Sequence, residues 1–166
     1  YRLDEFQNSA QLYEDILKHG DYDENDVDEA EIRTNYVAAL AQAGEAKAVV
    51  SKAVDECPKD GINYELEFNR ACALINSNDY AGSFRALEDS ERLARATMAE
   101  DEESPEDIEK EVAIIRVQLG VVEQMLGRAA AAKELYTAAL KTGTKKQTAV
   151  AVASSNLIVL RKDHDM

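Results

Sequence analysis

Arg116–Leu140 reads RVQLGVVEQMLGRAAAAKELYTAAL, and this stretch decides the fold. Leu119 and Gly120 stand side by side, Gly127 follows seven residues later, Ala132 five after that, and then come Tyr136 and Ala139. The spacing predicts two antiparallel helices joined at Gly127. Gly120 and Ala132 fall where the helices cross, because only a side chain of a methyl or less lets two axes approach to about 8–10 Å. Leu119, Tyr136 and Leu140 fill the space around the crossing. Gly127 ends the first helix in a conformation that a Cβ resists.

An L-G pair on one helix followed by A-x3-[FY]-x2-A on the next, with a period of about 34 residues, is the lettering of the tetratricopeptide repeat, which this stretch resembles. It departs from that lettering at two positions, Arg116 in place of an aromatic and Glu123 in place of a tyrosine. The same lettering recurs in three further segments. Tyr1–Leu17 carries Phe6, Ser9, Tyr13 and Ile16 in the order of a second helix, so the chain reads as a piece that begins inside a repeat. An acidic turn from Gly20 to Asp28 follows, with Asp26 or Asp28 as helix cap. Glu29–Ala43 and Glu45–Cys57 form the next expected pair around Gly44, with Ala46, Val50 and Ala53 on the second helix and Pro58 closing it.

Asn63 to Leu93 gives a clearer pair. Ala71 takes the small crossing position, Leu74 the large one, Asn78-Asp79-Tyr80 the turn, and Ser83, Leu87 and Ser90 the second-helix face. From Ala71 to Gly120 is 49 residues, 15 more than one repeat. The surplus is a second helix prolonged through Leu93 and Met98, then an irregular acidic insertion at 99–107. Within it, Ser104-Pro105-Glu106-Asp107 is a helix start: serine as cap, proline in the first position, and acids in the first turn where the helix dipole favours them. Gly143 and Thr144 close the second helix of the anchor repeat. A last helix, Lys145–Asp163, has Val152, Ser155, Asn156 and Val159 on its inner face. The expectation is a single all-α domain over 1–166, a tetratricopeptide-repeat solenoid of about eight helices coiling as a right-handed superhelix, with partial repeats at both ends.

The 166 residues can bury roughly two thirds of their unfolded surface, enough for a core without staples. Cys57 and Cys72 sit in apolar helical contexts and read as small buried hydrophobes of a reducing compartment. No run of 18 apolar residues and no signal peptide is present, which argues against membrane insertion. The net charge of −14 has the wrong sign for phosphate binding and speaks against direct contact with nucleic acid. The charge is lopsided as well: residues 1–115 hold 11 basic and 29 acidic side chains, and 116–166 hold 8 and 4.

Catalytic groupings are missing from the pattern. His19 and His164 lie beside helix ends, away from any nucleophile arrangement, and the carboxylates form solvated clusters rather than an isolated apolar pair. There is no P-loop, zinc-protease or calcium-loop spacing. The reading is therefore a non-enzyme without cofactor or metal. A helical-repeat array offers instead a concave surface lined by the first helix of each pair. Counting along those helices places Thr34, Asn35, Ala38 and Gln42 there, then Phe68, Asn69, Cys72 and Ile75, then Val117, Val121 and Gln124, and finally Ala153, Leu157 and Leu160. Asn35 and Asn69 share a repeat position, where an amide can donate to and accept from a peptide backbone or, equally, simply face water. Lysines that would grip a terminal carboxylate are replaced by Thr34, Phe68, Val117 and Ala153. An apolar groove is favoured over a carboxylate clamp.

Several blocks taken together resemble one family. They are Tyr1-Arg2-Leu3, Ala71-Cys72-Ala73-Leu74-Ile75, Asp107-Ile108-Glu109, Ala113-Ile114-Ile115, Gln118-Leu119, Asn156-Leu157-Ile158 and Lys162-Asp163, together with the acidic insertion. The chain is similar over nearly all its length to the amino-terminal tetratricopeptide region of the seventy-two-kilodalton protein of the eukaryotic signal recognition particle. The resemblance implies a cytoplasmic ribonucleoprotein that delivers ribosomes with nascent secretory chains to the endoplasmic reticulum. It implies that this region binds the carboxy-terminal part of a sixty-eight-kilodalton partner, that the particle's RNA is held by a separate downstream segment, and that ribosomes are met only through the particle. The competing expectation is an adaptor for another peptide, as in a chaperone adaptor or a regulatory subunit.

Overall fold

The computed structural model describes residues 2–19, 29–45 and 62–162. Among these residues the chain forms seven α-helices and no strand: α1 (Arg2–His19), α2 (Glu29–Gln42), α3 (Tyr64–Asn76), α4 (Tyr80–Glu100), α5 (Pro105–Met125), α6 (Ala129–Lys141) and α7 (Gln147–Lys162). The expected turn at 20–28, the helix expected over most of 45–57 and the closing Pro58 lie outside the described residues. The chain falls into two compact units, Tyr1–Ala86 and Leu87–Met166, and α4 contributes to both.

Four helices end in the same way. In each, the residue in the left-handed region donates its N–H to the carbonyl three residues back, and the next N–H reaches five residues back. Gly44 (φ 80°) closes α2, Asn78 (φ 63°) α3, Glu102 (φ 59°) α4 and Gly127 (φ 77°) α5. This is the paired closure that satisfies two orphan carbonyls, and glycine or asparagine suits it sterically. Glu102 is the exception, a residue with a full side chain in a conformation that crowds its Cβ.

Three helix starts are capped by side chains, and the Ser104 cap is the expected one. Ser104 Oγ accepts from the Asp107 N–H at 3.2 Å, with Pro105 in the first turn of α5. Asp79 Oδ1 accepts from the Gly82 N–H at 2.9 Å at the start of α4. Asn63 Oδ1 accepts from the Leu66 N–H at 2.7 Å at the start of α3.

In the first unit the core joins Ala10 of α1, Tyr36, Val37, Ala39 and Leu40 of α2, and Leu66 and Ala73 of α3. The buried face of α1 is not the expected one. Tyr13 packs as anticipated, but Ala10 and Leu17 take the places assigned to Ser9 and Ile16, and Ile16 is 37% exposed. The α3–α4 crossing matches its reading: Ala71 and Ser83 are both fully buried, and Ser83 Oγ donates to the Ala71 carbonyl at 3.0 Å.

In the second unit α6 packs against α5 and α7, and α5 also meets α7. The core is built from Ala113, Val117, Ala132, Tyr136, Ala139, Ala149, Ala153 and Leu160. Gly120 lies directly on the Tyr136 ring, where a Cβ added to it would come within 2.5 Å of Cε1. The small residue at that crossing is thus set by a ring that needs the volume. On α7 the inner face again differs from its expectation: Ala149, Ala153 and Leu160 are buried with Val152 and Leu157 packed beside them, whereas Ser155 is exposed and Val159 is 48% exposed.

Candidate functional site

The positions assigned to a groove divide by burial. In the first unit, Asn35 and Gln42 are exposed and Ala38 is half-buried on α2, while Phe68, Asn69, Cys72 and Ile75 are half-buried and share one face of α3 by spacing. Burial pushes the Cys72 thiol up to about 11, so it stays protonated and unreactive at neutral pH. Thr34 does not belong to an accessible surface. It is buried, its hydroxyl donates to the Ala30 carbonyl at 2.7 Å, and it accepts from Asn63 Nδ2 at 3.0 Å, tying α2 to the start of α3.

In the second unit, Val117, Ala153 and Leu160 are core residues, 2%, 0% and 6% exposed, and so are taken up by packing rather than left open. Val121, Gln124 and Leu157 are half-buried. Tyr136, itself fully buried, donates its hydroxyl to Gln124 Oε1 at 3.1 Å and accepts from Asn156 Nδ2 at 2.9 Å. Burial raises the phenol above its ordinary value near 10, and the Asn156 bond partly offsets that. Sequence reading placed Asn156 on the inner face of α7 without a partner. The signal that would have found it is the pairing of a buried tyrosine with amides on two helices.

The two departures from repeat lettering are explained by charge. Arg116 does not replace an aromatic in the core. Its Nε donates to Glu91 Oε1 at 3.1 Å and its Nη1 to Glu109 Oε2 at 2.6 Å. Arg95 reaches the same two acids at 2.8 Å each, so Glu91, Arg95, Glu109 and Arg116 make a closed quartet between α4 and α5. Donation from Arg95, then from Arg116, holds the Glu109 carboxyl below its ordinary range against partial desolvation. Glu123 is 5% exposed and paired with Arg128 at 3.1 Å across the α5–α6 turn. A buried acid with a neighbouring guanidinium fills the tyrosine position.

Helical hairpins that cross at small residues, α3 with α4 at Ala71 and Ser83 and α5 with α6 at Gly120, make a tetratricopeptide-like fold. No protein-family model matches the chain. Over its full length, however, the chain resembles signal recognition particle subunit SRP72: it is 30% identical over 169 residues to the proteins of that name from Canis lupus familiaris and Homo sapiens, covering 100% of this chain and 24% of each. SRP72 of Dictyostelium discoideum is 30% identical over 164 residues, 97% of this chain. The chain spans about a quarter of the length of the curated relatives it matches.

Proposed function

We propose that the chain is one helical-repeat domain of a signal recognition particle subunit, and that within the particle it binds the carboxy-terminal region of the sixty-eight-kilodalton protein. The observation that carries this reading is the similarity to SRP72 along the entire chain, with no part left unmatched in the canine and human proteins. The hairpin architecture is the second support, since such helices present half-buried apolar side chains, here Phe68, Ile75, Val121 and Leu157, beside polar ones. The domain acts as a scaffold in the cytoplasm and performs no catalysis itself. Its acidic surface leaves RNA to other segments of the particle, because net −14 repels a phosphate backbone.

The test is co-purification and calorimetric titration with the carboxy-terminal region of the sixty-eight-kilodalton protein. A saturable complex is expected, and Phe68→Ala should weaken it by about 1–4 kcal/mol, as for a buried interface anchor. Absence of binding at the highest soluble concentration overturns the reading. Binding that survives Phe68→Ala but is lost on reversing Glu100 to Glu103 moves the contact to the acidic loop.

A further inference from the structure

The phenol of Tyr136 is the centre of a hydrogen-bonded chain with a direction. A hydroxyl has one proton, so in donating it to Gln124 Oε1 it must accept from Asn156 Nδ2. Asn156 thereby turns its NH2 to the phenol and leaves Oδ1 for something else. Gln124 turns its oxygen inward and leaves Nε2. Exchanging both amide orientations reverses the chain but not its outcome: one end still offers an acceptor and the other a pair of donors. Both amide residues are half-buried, and neither makes a further side-chain hydrogen bond among the described residues. Val121 precedes Gln124 by one turn and Leu157 follows Asn156, each packed on the core of this unit yet incompletely covered. The nearby acid Glu123 is held by Arg128.

An uncharged acceptor and an uncharged donor, spaced by one phenolic oxygen and flanked by apolar side chains, match a peptide group. A carboxylate or phosphate would bring only acceptors and a full charge, and these residues supply no cation to meet it. A helical partner would have no backbone groups to spare. We propose that Gln124 and Asn156, oriented by Tyr136, form a subsite for one backbone amide of an extended segment of a partner protein. The segment's N–H donates to Asn156 Oδ1, its C=O accepts from Gln124 Nε2, and an apolar side chain rests between Val121 and Leu157. This rests on the partner-binding reading above and adds a pair of backbone-reading amides in the second unit to Asn35 and Asn69 in the first.

The experiment titrates overlapping peptides from the carboxy-terminal region of the sixty-eight-kilodalton protein into the parent chain and into Gln124→Ala, Asn156→Ala and Tyr136→Phe. The tightest peptide is also made as a series in which each peptide bond in turn becomes an ester, which removes one N–H. Each alanine variant should bind about five- to fifty-fold more weakly, the range expected for one or two lost hydrogen bonds. One ester position should weaken binding to the parent and make no difference to Asn156→Ala. Tyr136→Phe should weaken binding less, with helix content unchanged by circular dichroism. If the parent binds a peptide and both alanine variants bind it equally well with the same ester profile, the subsite is wrong and the wider reading stands. If no peptide binds the parent, both fall. If the parent instead self-associates in sedimentation and Asn156→Ala abolishes that, the occupant is a second copy and the proposal is overturned.

Discussion

The contact between Gly120 and the Tyr136 ring sets a steric limit that a single methyl exceeds. Gly120→Ala should destabilise the fold by about 1–3 kcal/mol, the usual range for overpacking, because the ring is fully buried and has nowhere to retreat. Urea denaturation measures it, and an unchanged midpoint would mean that α5 and α6 separate more easily than this packing implies. Glu102 makes the opposite case. It occupies a left-handed position that glycine fills at the ends of α2 and α5, so Glu102→Gly should stabilise by about 1 kcal/mol, the steric relief for a residue with a Cβ. A fall in melting temperature would count against that account. The small-to-large complementarity of Gly120, Ala132 and Tyr136 was legible in the sequence because a crossing demands it locally. The role of Arg116 was not, because its partner Glu91 lies 25 residues away on another helix and no spacing rule links them.

Among elements, α5 is the most fully specified, with its cap, proline and acids in order. Ser104→Ala should cost about 0.5–2 kcal/mol through loss of the cap, measured by thermal melting with Ser104→Asp as the variant that restores it. The quartet between α4 and α5 adds a pH dependence. Glu109 is held below its ordinary value near 4.5, so its contribution is present above that value and is lost as pH falls through the depressed one. Arg116→Ala should therefore flatten the acid limb of a stability profile, and an acid limb identical to the parent's would remove the quartet from the account. The end helices were the least legible. In α1 and α7 apolar residues occur on more than one face, with Leu12 64% and Ile158 55% exposed, so periodicity did not single out the buried stripe. The readings of both helices slipped by about one residue for that reason.

For the molecule as a whole, helix class and, among the described residues, the α3–α4 and α5–α6 hairpins were legible because each carries its own crossing residues. The candidate surface was legible only in part. Position along a first helix does not say whether a side chain is spent on its neighbours, and Thr34, Val117 and Leu160 are so spent. The chain of Gln124, Tyr136 and Asn156 was out of reach because it depends on three helices meeting at one oxygen. That oxygen also gives the protein an optical handle. With no tryptophan among 166 residues, near-ultraviolet absorbance belongs to seven tyrosines, and their phenolate bands appear without interference. Burial raises the Tyr136 phenol, so in an alkaline titration it should ionise above the ordinary phenol range, and only as the helices around it part. Its late absorbance step then serves as an intrinsic gauge of whether α5, α6 and α7 still hold together.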